Sequence, residues 1–253
     1  MLPKIEIGPE YLVQESGTSD GTQIKYCKDD KWYKVDRYGG EGQVEELVSE
    51  ILALSNLSSD NYVKYSQVII NEENGCVSDN FLQAGESFIT FYRLYSNIQG
   101  GDLAVVTSKM DYDEAIEYVL EFMDRNVKVD LREYLANIFA LDALILNEDR
   151  HFNNFGLIYD GNIFRPAPIF DNGKSLFVGN KRYNPKLSMS ENKKKAFAKA
   201  FSGSFVLNNS YLKKYRSFDF DYDKIILFLQ DKITGEDTVY DRLYSLVSCL
   251  RQS

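Results

Sequence analysis

A chain of 253 residues with 44% hydrophobic content can bury a substantial core, enough for one large domain or two lobes. Its 29 basic and 38 acidic residues give a net charge of −9, which argues against a broad nucleic-acid footprint. Three widely spaced cysteines, Cys27, Cys76 and Cys249, indicate neither a disulfide framework nor a zinc site, and with no secretory signal, lipidation motif or apolar run of membrane length the expectation is a cytoplasmic chain without membrane contact.

In chain order, the first local signal is Gly17-Thr18-Ser19-Asp20-Gly21-Thr22-Gln23-Ile24-Lys25. Small residues let backbone N–H groups approach an anion, and Lys25 adds positive charge nearby. A polar hairpin turn would have the same composition. Lys31-Trp32-Tyr33-Lys34-Val35 suits a strand that places Lys34 on one face. Helical spacing follows, with Val44, Leu47, Val48, Ile51 and Leu52 on an apolar face, and predicts a helix over 43–54. Glu45 is the favoured partner for Lys34, with Glu41 and Glu46 as rivals, although acids on such a helix often only face solvent. Strand-like runs at 62–70 and 87–94 complete a sheet-rich region with this single helix.

After Gly100-Gly101 the pattern turns helical, with helices predicted over 113–123, 131–147, 191–201, 222–230 and 238–251. Asp130 and Glu133 have the spacing of a capping box at the head of the second. Leu131, Leu135, Ile138, Phe139, Leu141 and Ile145 are its core candidates. Asp142 stands among them, where a buried charge is costly unless paired, so backbone N–H groups or Arg150 are expected to hold it.

The segment Asn147-Glu148-Asp149-Arg150-His151-Phe152-Asn153-Asn154 is followed seventeen residues later by Asp171-Asn172-Gly173. These are the parts of a phosphoryl-transfer site: Asp149 can accept the proton of an attacking hydroxyl, and Asn154 and Asp171 offer oxygens to Mg²⁺. A D-x-x-x-x-N match alone is weak, since Asp and Asn also shape ordinary turns. Here an apolar helical run precedes it and NFGLIYDGNIF follows, an order that predicts helix, catalytic loop, short hairpin and metal-binding turn. Basic residues cluster nearby at Lys174, Lys181, Arg182, Lys186 and Lys193 to Lys195, which could attract ATP or an acidic substrate or could simply be a solvated face.

These residues resemble the catalytic segment of the HipA-like kinases, approximately N-x-D-R-H-x-x-N-x-G followed by P-x-Y/F-D, and Gly21, Gln23 and Lys25 match the G-x-Q-x-K end of that family's phosphate loop. The resemblance implies an α+β, bilobal protein-kinase-like fold, with a sheet-rich lobe over 1–96 and a helical lobe over 97–253. It implies ATP and Mg²⁺ as cofactors and transfer of the γ-phosphoryl group to a protein Ser or Thr. Asp149 would be the base and His151 a loop-shaping or transition-state-supporting catalytic residue, with Asn154 and Asp171 on the metal. Gly21, Thr22, Gln23, Lys25, Lys34 and Glu45 would serve the nucleotide, and Ser16, Thr18 and Ser19 are local candidates for inhibitory autophosphorylation.

Members of that family generally carry an additional N-terminal subdomain, whereas here only Met1 to Ser16 precede the loop. The expectation is a reduced kinase core, a departure that weakens the case for the antitoxin partner the family would suggest. Direct nucleic-acid binding is not expected. Phosphatidylinositol kinases share D-R-H-x-x-N, and aminoglycoside-type phosphotransferases share the Asp, Asn and Asp arrangement, so a lipid or small-molecule kinase is the alternative. A pseudokinase module is a further one, opposed by retention of Lys34, Asp149, Asn154 and Asp171.

Overall fold

Two stitches of hydrogen bonds decide where the functional elements sit, one on the first helix and one just after it. The computed structural model describes residues 1–13 and 23–251. Strands β1 (Lys4–Ile5), β2 (Lys25–Lys28) and β3 (Lys31–Val35) precede α1 (Glu41–Ala53), and β4 (Tyr65–Ile70) and β5 (Glu73–Asp79) follow it. They form a five-stranded sheet in the order β1-β4-β5-β3-β2, antiparallel except for the β1–β4 pair. The Asp36 carboxylate accepts from the N–H groups of Gly40 and Gly42, both at 2.7 Å, and so satisfies free donors at the start of α1. Ser49 on α1 accepts from the Tyr65 N–H at 2.9 Å and donates to the Val63 carbonyl, which fixes the helix against β4.

The second stitch joins the sheet to the helical body. Val63 N–H donates to the Ile169 carbonyl at 2.9 Å and Ile169 N–H to the Asn61 carbonyl at 2.8 Å, just before Asp171. Val44, Leu47, Val48, Ile51 and Leu52 are buried in the same apolar cluster as Leu135, Ile138 and Leu243 from helices of that body. The apolar face predicted for α1 therefore does pack, and it packs across the two halves of the molecule.

Next come β6 (Ser87–Thr90), α2 (Phe91–Gln99), α3 (Leu103–Thr107), α4 (Tyr112–Val127) and α5 (Arg132–Ile145). Strand β7 (Gly156–Tyr159) pairs with β6 on one side and β8 (Phe164–Pro166) on the other in a three-stranded antiparallel sheet. The chain ends with α6 (Met189–Lys193), α7 (Phe205–Tyr211), α8 (Tyr222–Gln230) and α9 (Val239–Arg251). Among the described residues no helix is long and apolar enough to cross a membrane.

Several expectations need correction. The strand predicted over 87–94 stops at Thr90, whose hydroxyl accepts from the Arg93 N–H at 3.1 Å and caps α2. The next two N–H groups, of Phe91 and Tyr92, donate to the carbonyls of Phe155 and Phe152, so the loop before β7 completes the cap. Aromatic and β-branched residues gave this run the look of a strand, but Phe91, Leu94 and Tyr95 bury at helical spacing. Replacing the cap in Thr90→Ala should lower stability by about 1 kcal/mol, readable as a fall in the thermal midpoint.

The capping box at Asp130 and Glu133 does not form. Asp130 accepts from Arg132 N–H at 3.0 Å, and α5 is capped by Leu131 without a side-chain bond. The helix predicted over 191–201 is instead a short one, Met189–Lys193, started by a capping box of Ser188 and Glu191. Its continuation is drawn across the molecule as irregular chain, because Phe197 N–H donates to Glu148 and Lys199 pairs with Asp149. Strand β5 was not foreseen: Gly75 lies so close to β3 that a Cβ there would sit 2.2 Å from the Lys34 carbonyl oxygen. Such an approach requires glycine, and glycine lowers the apparent strand propensity of the segment.

Candidate active site

Lys34 projects from β3 into the junction of the two halves and is 8% exposed. Its Nζ donates to Glu45 Oε1 at 3.2 Å and to Asp171 Oδ1 at 2.9 Å, and also reaches the Tyr65 hydroxyl at 3.3 Å. Burial alone would depress the Lys34 ammonium, but the facing Asp171, Tyr65 and Glu45 outweigh it and hold its pKa well above the ordinary lysine value. For Asp171, burial acts upward and is overcome by Lys34 and Lys25, which keep the carboxyl below its usual range. Both groups are therefore charged at neutral pH. Tyr65, pushed up chiefly by burial, stays neutral beside them.

Of the three candidate acids on α1, Glu45 is the one that reaches Lys34. Its other oxygen accepts from Asn172 N–H at 3.0 Å, tying α1 to the Asp171-Asn172-Gly173 turn. Glu41 accepts instead from the N–H groups of Arg37 and Tyr38, and Glu46 is held by the Gln67 backbone and side chain. Asp171 itself has φ +61, a left-handed backbone that is unusual for a residue other than glycine. Its neighbours Phe170 and Asn172 are fixed by Arg150, and that anchorage holds the turn in place.

Arg150 is 1% exposed and ties the loop to the turn. Its guanidinium pairs with Asp142 of α5, at 3.1 Å from Nε and 3.0 Å from Nη2, and donates at 2.6 Å to both the Phe170 carbonyl and Asn172 Oδ1. The partner expected for Asp142 is thus the arginine. Asn147 accepts from Asp149 N–H at 3.0 Å, and Asn154 Nδ2 donates to the Asp149 carbonyl at 2.9 Å. His151 stays in the loop, with Nδ1 accepting from Asn153 N–H at 3.3 Å and its carbonyl from Asn154 N–H at 2.7 Å. Asn153 in turn accepts from the Thr90 hydroxyl, which links the loop to the β6–α2 junction.

The side chains converge on one cleft of about 600 Å³ between the sheet and the helical body. Gln23, Lys25, Glu45, Asp149, Asn154 and Asp171 all line it, as does His151. Lys34 stands directly behind Asp171 through their ion pair. Gly21 and Thr22, with Ser16, Thr18 and Ser19, lie outside the described residues.

Two members of this arrangement were not anticipated. Asn172 joins Glu45 and Arg150, and its adjacency to Asp171 was the signal available for it. Lys199, whose Nζ lies 2.5 Å from Asp149 Oδ1, is fifty residues away in the chain, and nothing local points to it.

Among the described residues no group of three or more His, Cys, Asp or Glu side chains could hold a metal unaided. Mg²⁺ bound to a nucleotide takes its remaining ligands from phosphate and water, so one carboxylate and one amide oxygen are a sufficient protein share. Asp171 and Asn154 supply that pair on one cleft wall. Glu41 Oε2, buried and without a hydrogen-bond partner, is a further oxygen on a residue lining the same space. The residues present fit the ion.

Comparison with known proteins agrees with the architecture. No curated protein matches the sequence. Among solved structures, the Helicobacter pylori proinflammatory kinase CtkA is similar at 14% identity and a TM-score of 0.65, covering 97% of this chain and 91% of that one. The Shewanella oneidensis MR-1 toxin–antitoxin protein HipA, solved with HipB and operator DNA, aligns at 10% identity and a TM-score of 0.42, over 94% of this chain and 54% of that one. At such identity the CtkA likeness establishes the bilobal α+β kinase fold and nothing finer. A family model described as HipA-like C-terminal domain matches residues 86–233, more than half the chain and including Asp149, Asn154 and Asp171, and on that match the chain belongs to the HipA-like C-terminal domain family.

Proposed function

We propose that this chain is an ATP- and Mg²⁺-dependent protein kinase that transfers the γ-phosphoryl group to a Ser or Thr hydroxyl. The observation that carries the reading is the convergence of Glu45, Asp149, Asn154 and Asp171 on one cleft, with Lys34 paired to Glu45 and Asp171 behind it, so that four separate stretches of chain meet. Such a site catalyses by positioning and by electrostatic stabilisation. Lys34, braced by Glu45, would hold the nucleotide phosphates, with Gln23 and Lys25 on the same wall. Asn154 and Asp171 would hold Mg²⁺, which when bound neutralises phosphate charge. Asp149 would orient the acceptor hydroxyl and take its proton. The position of His151 in the loop favours a supporting role.

The test is intact-mass analysis after incubation with Mg²⁺ and ATP, on the chain alone and with Ser- and Thr-containing peptides. The expected result is phosphate on Ser or Thr for the unmutated chain, abolished by EDTA and absent in Asp171→Asn. Ser16, Thr18 and Ser19 are the candidate self-acceptors. Retained Mg-ATP binding with no phosphate on the chain or any peptide would overturn the protein-kinase reading in favour of a small-molecule acceptor.

A further inference from the structure

Residues 174–199, which follow the Asp171-Asn172-Gly173 turn, hold eight basic residues and a single acidic one, Glu191, in a chain where acids outnumber bases 38 to 29. The fold gathers part of this inverted charge around a second cleft of about 300 Å³, and Asp149 and Lys174 line both clefts. On its walls Lys174, Lys181, Arg182 and Lys199 face two carboxylates, Glu148 and Asp149. Lys199 is paired with Asp149, and Arg182 lies 3.4 Å from Glu148. Lys174 lies over the Tyr38 ring and Lys181 is exposed, so positive charge is in excess. The Phe197 ring, 49% exposed with the Arg182 guanidinium 4.4 Å from its centroid, adds a flat surface to the same wall.

We propose that this second cleft is the acceptor subsite and that it selects an acidic protein segment, with the Ser or Thr hydroxyl at Asp149 and flanking Asp or Glu carboxylates at Lys181 and Arg182. The proposal rests on the protein-kinase reading and specifies its substrate class. A nucleic acid fits less well, because a polyanion needs a long basic track and the rest of this chain is strongly acidic. A short segment with one or two carboxylates matches both the size of the cleft and its excess charge. An acidic flank also offers Lys199 a second carboxylate, which would release Asp149 to meet the hydroxyl. The Asp149–Lys199 pair is partly solvated, so exchange of partners is cheap.

The experiment is fluorescence anisotropy with three labelled Ser peptides of equal length, flanked by Asp, by Ala or by Lys, and a single-stranded oligonucleotide as a fourth probe. Two pairs of charges at a partly exposed rim should make the Asp-flanked peptide bind about tenfold tighter than the Ala peptide, with the Lys-flanked peptide weakest. In the K181E/R182E variant the order should reverse, and the gained affinity for the Lys-flanked peptide is a change that misfolding does not produce. The milder K181Q/R182Q variant should lose the preference without reversing it. Equal binding of the three peptides, no binding of the acidic one, an unchanged order in both variants, or an oligonucleotide bound as tightly as the acidic peptide would overturn the proposal. Phosphate transfer to the same peptides separates the two readings. Charge preference without transfer would remove the kinase reading and keep the acidic subsite, and transfer without preference would do the reverse.

Discussion

Asp149→Asn protein should transfer phosphate about 10²- to 10⁴-fold more slowly than the unmutated chain, the usual contribution of a positioned general base, while its thermal midpoint stays nearly unchanged. The substitution preserves the shape of the side chain, and the backbone bonds that hold this residue, from Asp149 N–H to Asn147 and from Asn154 to its carbonyl, do not involve the carboxylate. What is lost is the charge facing Lys199. Both partners of that pair are partly exposed, at 48% and 30% for the side chains, so its worth to stability is about 0–1 kcal/mol after solvent screening. A rate loss without a stability loss separates a chemical role from a structural one. Mg-ATP affinity should also be retained, because Lys34, Asn154 and Asp171 are untouched. An Asp149→Asn protein that keeps more than about a tenth of the rate would remove Asp149 from the base role, since a positioned base contributes at least 10²-fold.

The parts of the candidate site that lie on one continuous stretch are legible in the sequence, and those that depend on distant chain are not. Asp149, Asn154 and Asp171 fall within a short segment whose spacing carries its own chemical meaning. The α1 helix was readable from its apolar face, because a 3.6-residue period survives in sequence whatever it packs against. Which of three acids would meet Lys34 was open, because Glu41, Glu45 and Glu46 differ by where the sheet and the Asp171 turn stand. That information is tertiary. Lys199 is the extreme case: its segment has the composition of a helix and is held as irregular chain by Glu148 and Asp149.

The same reasoning explains the errors in secondary structure. The 87–94 run carries aromatic and β-branched residues that suit a strand, and its first four residues do form one. Its continuation became helix because the loop before β7 supplies carbonyls to the N–H groups of Phe91 and Tyr92, a contact that only the folded chain provides. In β5, Glu73 and Asn74 are polar and exposed and Gly75 is required by the close approach to Lys34, so the strand has little signal of its own. Both cases place a weak local preference against a strong tertiary partner, and the partner decides.

Asp142→Ala should destabilise the chain by about 3–5 kcal/mol, because it leaves the buried Arg150 guanidinium without its counter-charge. For a domain of this size that corresponds to a fall of roughly 6–20 °C in the thermal midpoint. Asp142 is 4% exposed and Arg150 1%, so water cannot replace the lost partner cheaply. Asp142→Asn keeps one acceptor oxygen that Nε and Nη2 can share but replaces the other with an NH₂ donor and removes the charge, so it should recover only part of the loss. The double variant Asp142→Leu with Arg150→Met removes both charges, and buried pairs replaced by apolar groups of similar volume often recover stability. Activity should not recover with it, because the Phe170 carbonyl and Asn172 Oδ1 lose the donor that holds the Asp171 turn against the loop. Calorimetry and phosphate transfer measured on the three proteins would separate the two effects. Parallel recovery of stability and rate in the double variant would show that Arg150 serves the fold alone, whereas stability regained without rate would assign it to the geometry between Asp149 and Asp171.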